Sequence, residues 1–283
     1  MIYVSLMGGL GNQLFQYATG MAQALRLGTD LKVYFEDHYE YADRKYALYP
    51  YLNDDLLVES KNVSDLLPAK GIKRKLRSFL GLEMEKNVFR ERTHYAYDDS
   101  IDAINDNTLL IGFWQSYRYF EGIEVVLKRQ ILIKDETPIY QLALDYLQKL
   151  ERTVSIHVRR RDYLVSNSGF QSLPLDYYRK ADEYLTGRIS NYTPVVFSDD
   201  YCWARENLSF LKHPIFAEEL RLLDFEELSL MSHCSHHVIA NSSFSWWGAW
   251  LDIKADKIII APSAWHSAVN SESDLIPNTW IKI

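Results

Sequence analysis

The chain has 283 residues, of which 47% are hydrophobic and 24% charged, enough apolar material for one large core or two of ordinary size. Its formal net charge of −7 excludes a general nucleic-acid binder, whose phosphate affinity depends on a positive surface field. An anionic ligand must therefore be met by a local cationic cluster.

With only Cys202 and Cys234, and no Cys-x-x-Cys or His/Cys ligand spacing, neither a disulfide framework nor a metal site is expected. Residues 1–7 read as a folded strand rather than a signal peptide, and no apolar run approaches ~18 residues. The expectation is a cytoplasmic protein. The 20 Tyr and 7 Trp suit either stacking on sugars or an aromatic core.

In chain order, Ile2 to Leu6 is a short β-branched run followed by Gly8-Gly9-Leu10-Gly11. Leu14, Ala18, Met21 and Leu25 then recur on one helical face, Gly28 supplies a stop, and Leu31 to Phe35 reads as a second strand. Strand, glycine loop, helix and strand make a parallel α/β unit. Leu66 to Leu80 is expected to be an amphipathic helix with Lys73, Arg74, Lys75 and Arg77 on a solvated face. Leu109 to Trp114 is a strand candidate, and Ile139 to Leu150 a helix with Leu142, Tyr146 and Leu150 on one face. Beyond a boundary near 150, strands are expected at Thr153 to Val158, Val195 to Ser198, Ile215 to Ala217, His237 to Ala240 and Lys257 to Ala261. Helices are expected at Asp176 to Leu185, Phe225 to Cys234 and Phe244 to Leu251. The alternation implies a parallel sheet covered on both faces.

Three segments carry chemistry. In the strand leading to Arg159-Arg160-Arg161-Asp162, alternation puts Ser155, His157 and Arg159 on one face and Ile156 and Val158 on the other. Three guanidinium groups at the carboxyl end of a parallel strand suit a phosphate, although a charge run can also be a solvated surface. The second segment, Asn241 to Leu251, follows an apolar strand. A helix capped by Asn or Ser offers N–H groups to an anion, with the hydroxyls of Ser242, Ser243 and Ser245 as further donors; Trp246, Trp247 and Trp250 read as core. The third, Gly8 to Gln13, is a glycine loop in which Gly9 and Gly11 allow tight turning and close approach to a ligand. It resembles a dinucleotide loop with Glu36 and Asp37 behind it, but Leu14 stands where that pattern needs Gly or Ala. Asn12 and Gln13 suit hydrogen bonds to sugar or phosphate. A weaker signal is Asp199 in Phe197-Ser198-Asp199-Asp200, which suits either the paired donors of guanine or a helix cap.

Together these residues resemble the α-1,2-fucosyltransferases, the bacterial and animal group with a GGLGNQ start, an HxRRGD-type segment and an SSFSWWGA segment. The likeness runs from residue 8 to about residue 265 and takes in Phe225 to Ser232. It implies an α/β fold of two Rossmann-like domains of GT-B type facing across a donor cleft. Residues 1–150 would form the acceptor-side domain and 151–283 the GDP-fucose-binding domain. It implies inverting transfer of L-fucose from GDP-fucose to the 2-hydroxyl of a terminal galactoside, in surface polysaccharide or O-antigen synthesis. No cofactor or metal is implied. The partners would be GDP-fucose, a galactose-terminated acceptor and, where that acceptor is lipid-linked, a membrane surface. By position, Arg159 would hold the β-phosphate, His157 would lie near the nucleotide, and Arg160 would support the loop. Asp199 would read guanine, Ser242, Ser243 and Phe244 would contact the nucleotide, and Asn12 would reach the phosphate from the first domain. Asp162 would be the base or an orienting group. Arg161 departs from the family, which has Gly there. An NAD-type oxidoreductase and a non-catalytic sugar-nucleotide-binding protein are the other classes the glycine loop allows.

Overall fold

The structure, a computed structural model, describes residues 1–35, 45–58, 87–161, 163, 171–266 and 273–283. The expected helix over Leu66 to Leu80 and its four charges lie outside the described residues, as do Glu36, Asp37 and Asp162. Among the described residues no helix is long and apolar enough to cross a membrane.

The chain divides into two compact units, Met1–Ile131 with Ser273–Leu275, and Leu132–Glu272 with Ile276–Ile283. The expected boundary near 150 falls one helix later than this division. That helix, Pro138–Gln148, belongs to the second unit because Tyr140, Ala143 and Leu147 pack in one cluster with Val195, Phe197, Leu230 and Met231. Two apolar stripes compete on it, and periodicity alone cannot choose between them. The expected stripe faces outward, with Leu142 70% and Tyr146 48% exposed. Polar anchors decide the rotation: the Tyr140 hydroxyl meets Ser229 Oγ at 2.7 Å, and the capping Thr137 hydroxyl donates to Glu226 at 2.6 Å.

Among the described residues the first unit has five parallel strands, β1 (Ile2–Leu6), β2 (Leu31–Phe35), β3 (Leu57–Val58), β4 (Val88–Arg90) and β5 (Thr108–Ile111), in the order β3-β2-β1-β5-β4. Helix α1 (Leu10–Leu27) follows β1 and ends at Gly28. Its expected single apolar face is too narrow a description. Gln13 to Gly20 are all buried, whereas Leu25 is exposed, so the first turns are embedded and only the last ones are amphipathic. Helix α2 spans Glu124–Gln130.

Among the described residues the second unit has six parallel strands, β6 (Thr153–Val158), β7 (Thr193–Ser198), β8 (Ile215–Phe216), β9 (His236–Val238), β10 (Ile259–Ala261) and β11 (Ile281–Lys282), ordered β11-β10-β9-β6-β7-β8. With Pro138–Gln148 as α3, its further helices are α4 (Leu175–Thr186), α5 (Tyr201–Asn207), α6 (Asp224–His233) and α7 (Ser243–Leu251). Strand alternation sorts β6 and β7 between two cores. Val154, Ile156, Val158 and Val196 pack with Tyr177, Tyr178, Ala181 and Leu185 of α4. Val195 and Phe197 point the other way, toward α3 and α6. Helices on both faces leave only the strand ends open for chemistry.

Candidate active site

Each sheet has one place where the chain reverses its direction of winding. In the second unit β6 is followed outward by β7 and β8; the chain then returns to the other side of β6 as β9. Loops leaving β6 and β9 diverge there, and open parallel sheets bind ligands at the carboxyl side of such a point. The β6 loop begins Arg159-Arg160-Arg161, and the β9 loop runs through Asn241 and Ser242 into α7.

The arginine loop is held by the end of β7. Asp199 Oδ1 accepts from the Arg160 backbone N–H at 2.8 Å, and Oδ2 accepts from that of Arg161 at 3.1 Å. The same Oδ2 stands 3.3 Å from Arg159 Nε. Asp199, expected to read guanine, thus has both carboxylate oxygens engaged in shaping this loop. Asp200 is the cap of α5, accepting from Trp203 N–H at 3.2 Å, and meets Arg160 Nε at 3.4 Å. The Arg160 guanidinium lies 4.1 Å over the Trp203 ring, so its side chain is packed into the framework beside the loop. Arg161 is exposed.

Two contacts bring the β6 and β9 loops together. The His157 ring lies 5.8 Å from that of Phe244, and the Tyr163 hydroxyl donates to the Asn241 carbonyl at 2.8 Å. His157 is buried, and its Nδ1 has no hydrogen-bond partner among the described residues. Burial, and next the neighbouring Arg159 charge, push its pKa down to about 3, so at neutral pH it is an uncharged donor–acceptor.

At the start of α7, Ser242 occupies the cap position, but its side chain makes no capping hydrogen bond, contrary to expectation. Ser242, Ser243 and Phe244 are half-buried. Ser245 is buried and turns back to the carbonyls of Ala240 (3.4 Å) and Ser242 (3.3 Å), so it is not an outward donor. Asn241 is structural too: its Nδ2 donates to Gln171 O at 3.0 Å and Trp265 O at 3.1 Å. Trp246 and Trp247 are fully buried beside Trp250 and Trp280, as core.

Sequence reasoning missed a buried relay behind these loops. Ser155 Oγ meets His237 Nδ1 at 2.8 Å, and His237 Nε2 meets Asp252 Oδ2 at 3.1 Å. The relay ties β6, β9 and the end of α7 together. Its three members are at most 4% exposed, which denies them contact with substrate and marks them as bracing. No spacing in the sequence announces residues 155, 237 and 252 as neighbours.

The first unit repeats the topology with different chemistry. Its winding reverses between β1 and β5, and the glycine loop and the segment Gly112-Phe113-Trp114-Gln115 leave the two strand ends there. The left-handed turn falls at Gly8 (φ 75°), where an added Cβ would lie 2.5 Å from Asn12 Nδ2. Of the glycines expected to turn the loop, Gly9 is extended at the head of α1, and Gly11 lies within its first turn. Gln13, expected to bind the donor, is fully buried. Its Nε2 donates to Gly8 O (2.9 Å) and Lys45 O (2.8 Å), and its Oε1 accepts from Ala47 N–H at 2.8 Å, so the amide is consumed in pinning the loop. Asn12 Oδ1 accepts from Gln115 Nε2 at 2.7 Å.

Two Rossmann-like α/β units, each with a loop-built edge at its switch point, make up a fold of GT-B type. The sequence of residues 1–283 matches the glycosyl transferase family 11 model, and the chain belongs to that family. It is 31% identical to an α-1,2-colitosyltransferase of Escherichia coli, over 100% of this chain and 98% of that one. It is 29% identical to the O-antigen biosynthesis glycosyltransferase WbnK of Escherichia coli, over the full length of both. It is also 29% identical to a galactoside 2-α-L-fucosyltransferase of Mus musculus, over 46% of this chain and 38% of that one. Among solved structures, the fucosyltransferase NodZ from Bradyrhizobium shares the fold, with a TM-score of 0.52 at 14% identity over 88% of this chain and 92% of that one.

Proposed function

We propose that the protein transfers L-fucose from GDP-fucose to the 2-hydroxyl of a terminal galactoside with inversion, as a step in building a surface polysaccharide such as O-antigen. Membership of a glycosyltransferase family, together with relatives named for α-1,2 transfer and O-antigen synthesis, supports this over an oxidoreductase or a non-catalytic sensor. The observation that carries it is the meeting of the Arg159 loop and the Ser242–Phe244 turn at one switch point, through His157 with Phe244 and Tyr163 with Asn241.

In this reading the sugar–phosphate bond breaks with oxocarbenium character while the acceptor oxygen attacks from the opposite face. Charge gathers on the departing GDP. Arg159 and the N–H groups opening α7 neutralise it, a preorganised electrostatic contribution for which one donor is typically worth ~10²–10³ in rate. Neutral His157, buried behind Phe244, backs the nucleotide site without adding charge. Asn12 approaches the diphosphate from the glycine loop. Asp162, next in sequence after Arg161, takes the acceptor proton or orients the neighbouring arginines. Guanidinium charge stands in for a divalent ion at the leaving group, so no cofactor is needed. Two unpaired cysteines, one of them exposed, fit a reducing, cytoplasmic setting, with peripheral membrane association where the acceptor is lipid-linked.

Full-length similarity to a colitosyltransferase favours one second donor, GDP-linked colitose, the 3-deoxy form of fucose. The test is to incubate purified protein with each donor and a panel of β-galactosides, with and without EDTA, and to read the product linkage by NMR. An α-1,2-fucosyl product formed equally in EDTA is expected. Strict metal dependence, or no transfer from GDP-fucose, would overturn the proposal, and transfer from GDP-colitose alone would move it to the second donor.

A further inference from the structure

We infer that Glu227 is the residue that reads the guanine of the donor, its carboxylate accepting from the ring N–H and the exocyclic amine of the base. The inference rests on the donor reading above and deepens it, and every residue it uses belongs to the second unit.

Guanine offers two donors side by side, and one ionised carboxylate can accept both. Most carboxylates near the ends of β7 and β8 already have partners. Asp199 is bonded to the Arg160 and Arg161 N–H groups, Asp200 caps α5 and meets Arg160, and Glu218 and Glu219 pair with Arg205. Glu226 accepts from Leu223 N–H at 2.9 Å and from the Thr137 hydroxyl at 2.6 Å. Among the described residues Glu227 has no cation and no backbone donor. It faces the Tyr201 hydroxyl, which is itself enclosed and without a hydrogen bond of ordinary geometry among the described residues. Burial, and next the Asp224 charge, push the Glu227 pKa up to about 7, as befits a carboxylate short of donors.

The fold puts Glu227 where a base can reach it. It lies in the first turn of α6, and a helix leading from β8 to the parallel β9 starts at the carboxyl edge of the sheet. Helical spacing sets it one turn ahead of Leu230 and Met231, on the face that packs with Val195 and Phe197 of β7. Phe244 packs against the same cluster, as do the half-buried Leu220 and Leu222. His157 is in register with Phe197, so it points to this side too, its ring 5.8 Å from that of Phe244. It is 4% exposed and its Nδ1 is unpartnered among the described residues, a second polar group in want of a ligand. Apolar side chains here can hold the faces of a flat ring while Glu227 reads its edge.

Calorimetric titration of the full chain with GDP, ADP and inosine diphosphate, which keeps the ring N–H of GDP but lacks its exocyclic amine, tests the assignment. The wild type is expected to bind GDP about tenfold more tightly than inosine diphosphate, and ADP more weakly still. In Glu227→Gln an amide NH₂ replaces one of the two acceptors. GDP is then expected to weaken about thirtyfold and to bind no better than inosine diphosphate, with ADP changed less than about twofold and an unchanged circular dichroism spectrum. Glu227→Asp keeps the carboxylate and is expected to keep the preference for GDP over inosine diphosphate even where affinity falls, which decides the matter should the Gln variant fold poorly. A wild-type preference surviving in Glu227→Gln, its loss in Glu227→Asp, or an equal loss of all three nucleotides in Glu227→Gln would overturn the inference. GDP binding by the wild type without fucosyl transfer would instead overturn the donor-sugar reading, with the ratio of GDP to inosine diphosphate affinity still deciding the role of Glu227. Absence of GDP binding by the wild type would overturn both.

Discussion

The two sheet edges share a topology and differ in charge. At the β6/β9 edge the residues beyond the strands are Arg159, Arg160 and Arg161, ordered by the carboxylates of Asp199 and Asp200. At the β1/β5 edge they are amides, with Gln13 pinning the loop and Gln115 bonded to Asn12. Guanidinium is always charged and suits the oxygen that gains charge in a transition state, whereas an amide supplies direction with little charge. On this comparison the second unit's edge is suited to stabilising developing negative charge, and the first unit's edge to directional hydrogen bonding.

The sharpest way to break the comparison is Arg159→Ala. A fall in kcat of ~10²–10³ is expected with the fold intact by circular dichroism, and normal turnover would refute the role. Next in size is Asp199→Asn, which weakens the carboxylate holding the Arg160 and Arg161 N–H groups and Arg159 Nε. Hydrogen bonds to charged groups are worth about 1.5–3 kcal/mol, so donor KM is expected to rise tenfold or more. If Asp199 orders the loop, GDP and ADP bind more weakly by the same factor; a selective loss of GDP would give Asp199 the guanine-reading role instead.

The smallest expected effect is on stability at mild acidity, and it belongs to the second unit. Burial lowers the pKa values of His157, His236 and His237 below the ordinary 6.5, that of His157 to about 3. Below pH 6.5 the unfolded chain therefore binds more protons at these sites until each folded-state group titrates, and stability is lost as pH falls through 6.5. Urea unfolding of the wild type at pH 7.5 and pH 5 should show this loss. His157→Asn should make it smaller, and an equal loss in that variant would show that His157 is not buried neutral.

Much of the strand layout at these edges was legible in the sequence because it depends on period and punctuation. The strands Ile2–Leu6, Leu31–Phe35 and Thr153–Val158 carry β-branched runs bounded by turn residues, and their register places Arg159 at a strand end without further information. What failed was partner choice. Gln13 looked like a ligand because an amide beside a glycine loop is a ligand pattern, yet Lys45 O and Ala47 N–H, more than thirty residues away, consume it. Leu142 and Tyr146 looked like core because either of two stripes on Pro138–Gln148 satisfied the helical period, and Tyr140 with Ser229 selected the other. Gln115 and the Ser155–His237–Asp252 relay had no local signature, since each exists only through contacts between residues far apart in sequence.

The most direct measurement is a crystal structure of the protein with GDP bound. The β-phosphate should accept hydrogen bonds, at roughly 3 Å, from the Arg159 guanidinium and from the backbone at the start of α7. A GDP whose phosphates lie away from both would contradict the account.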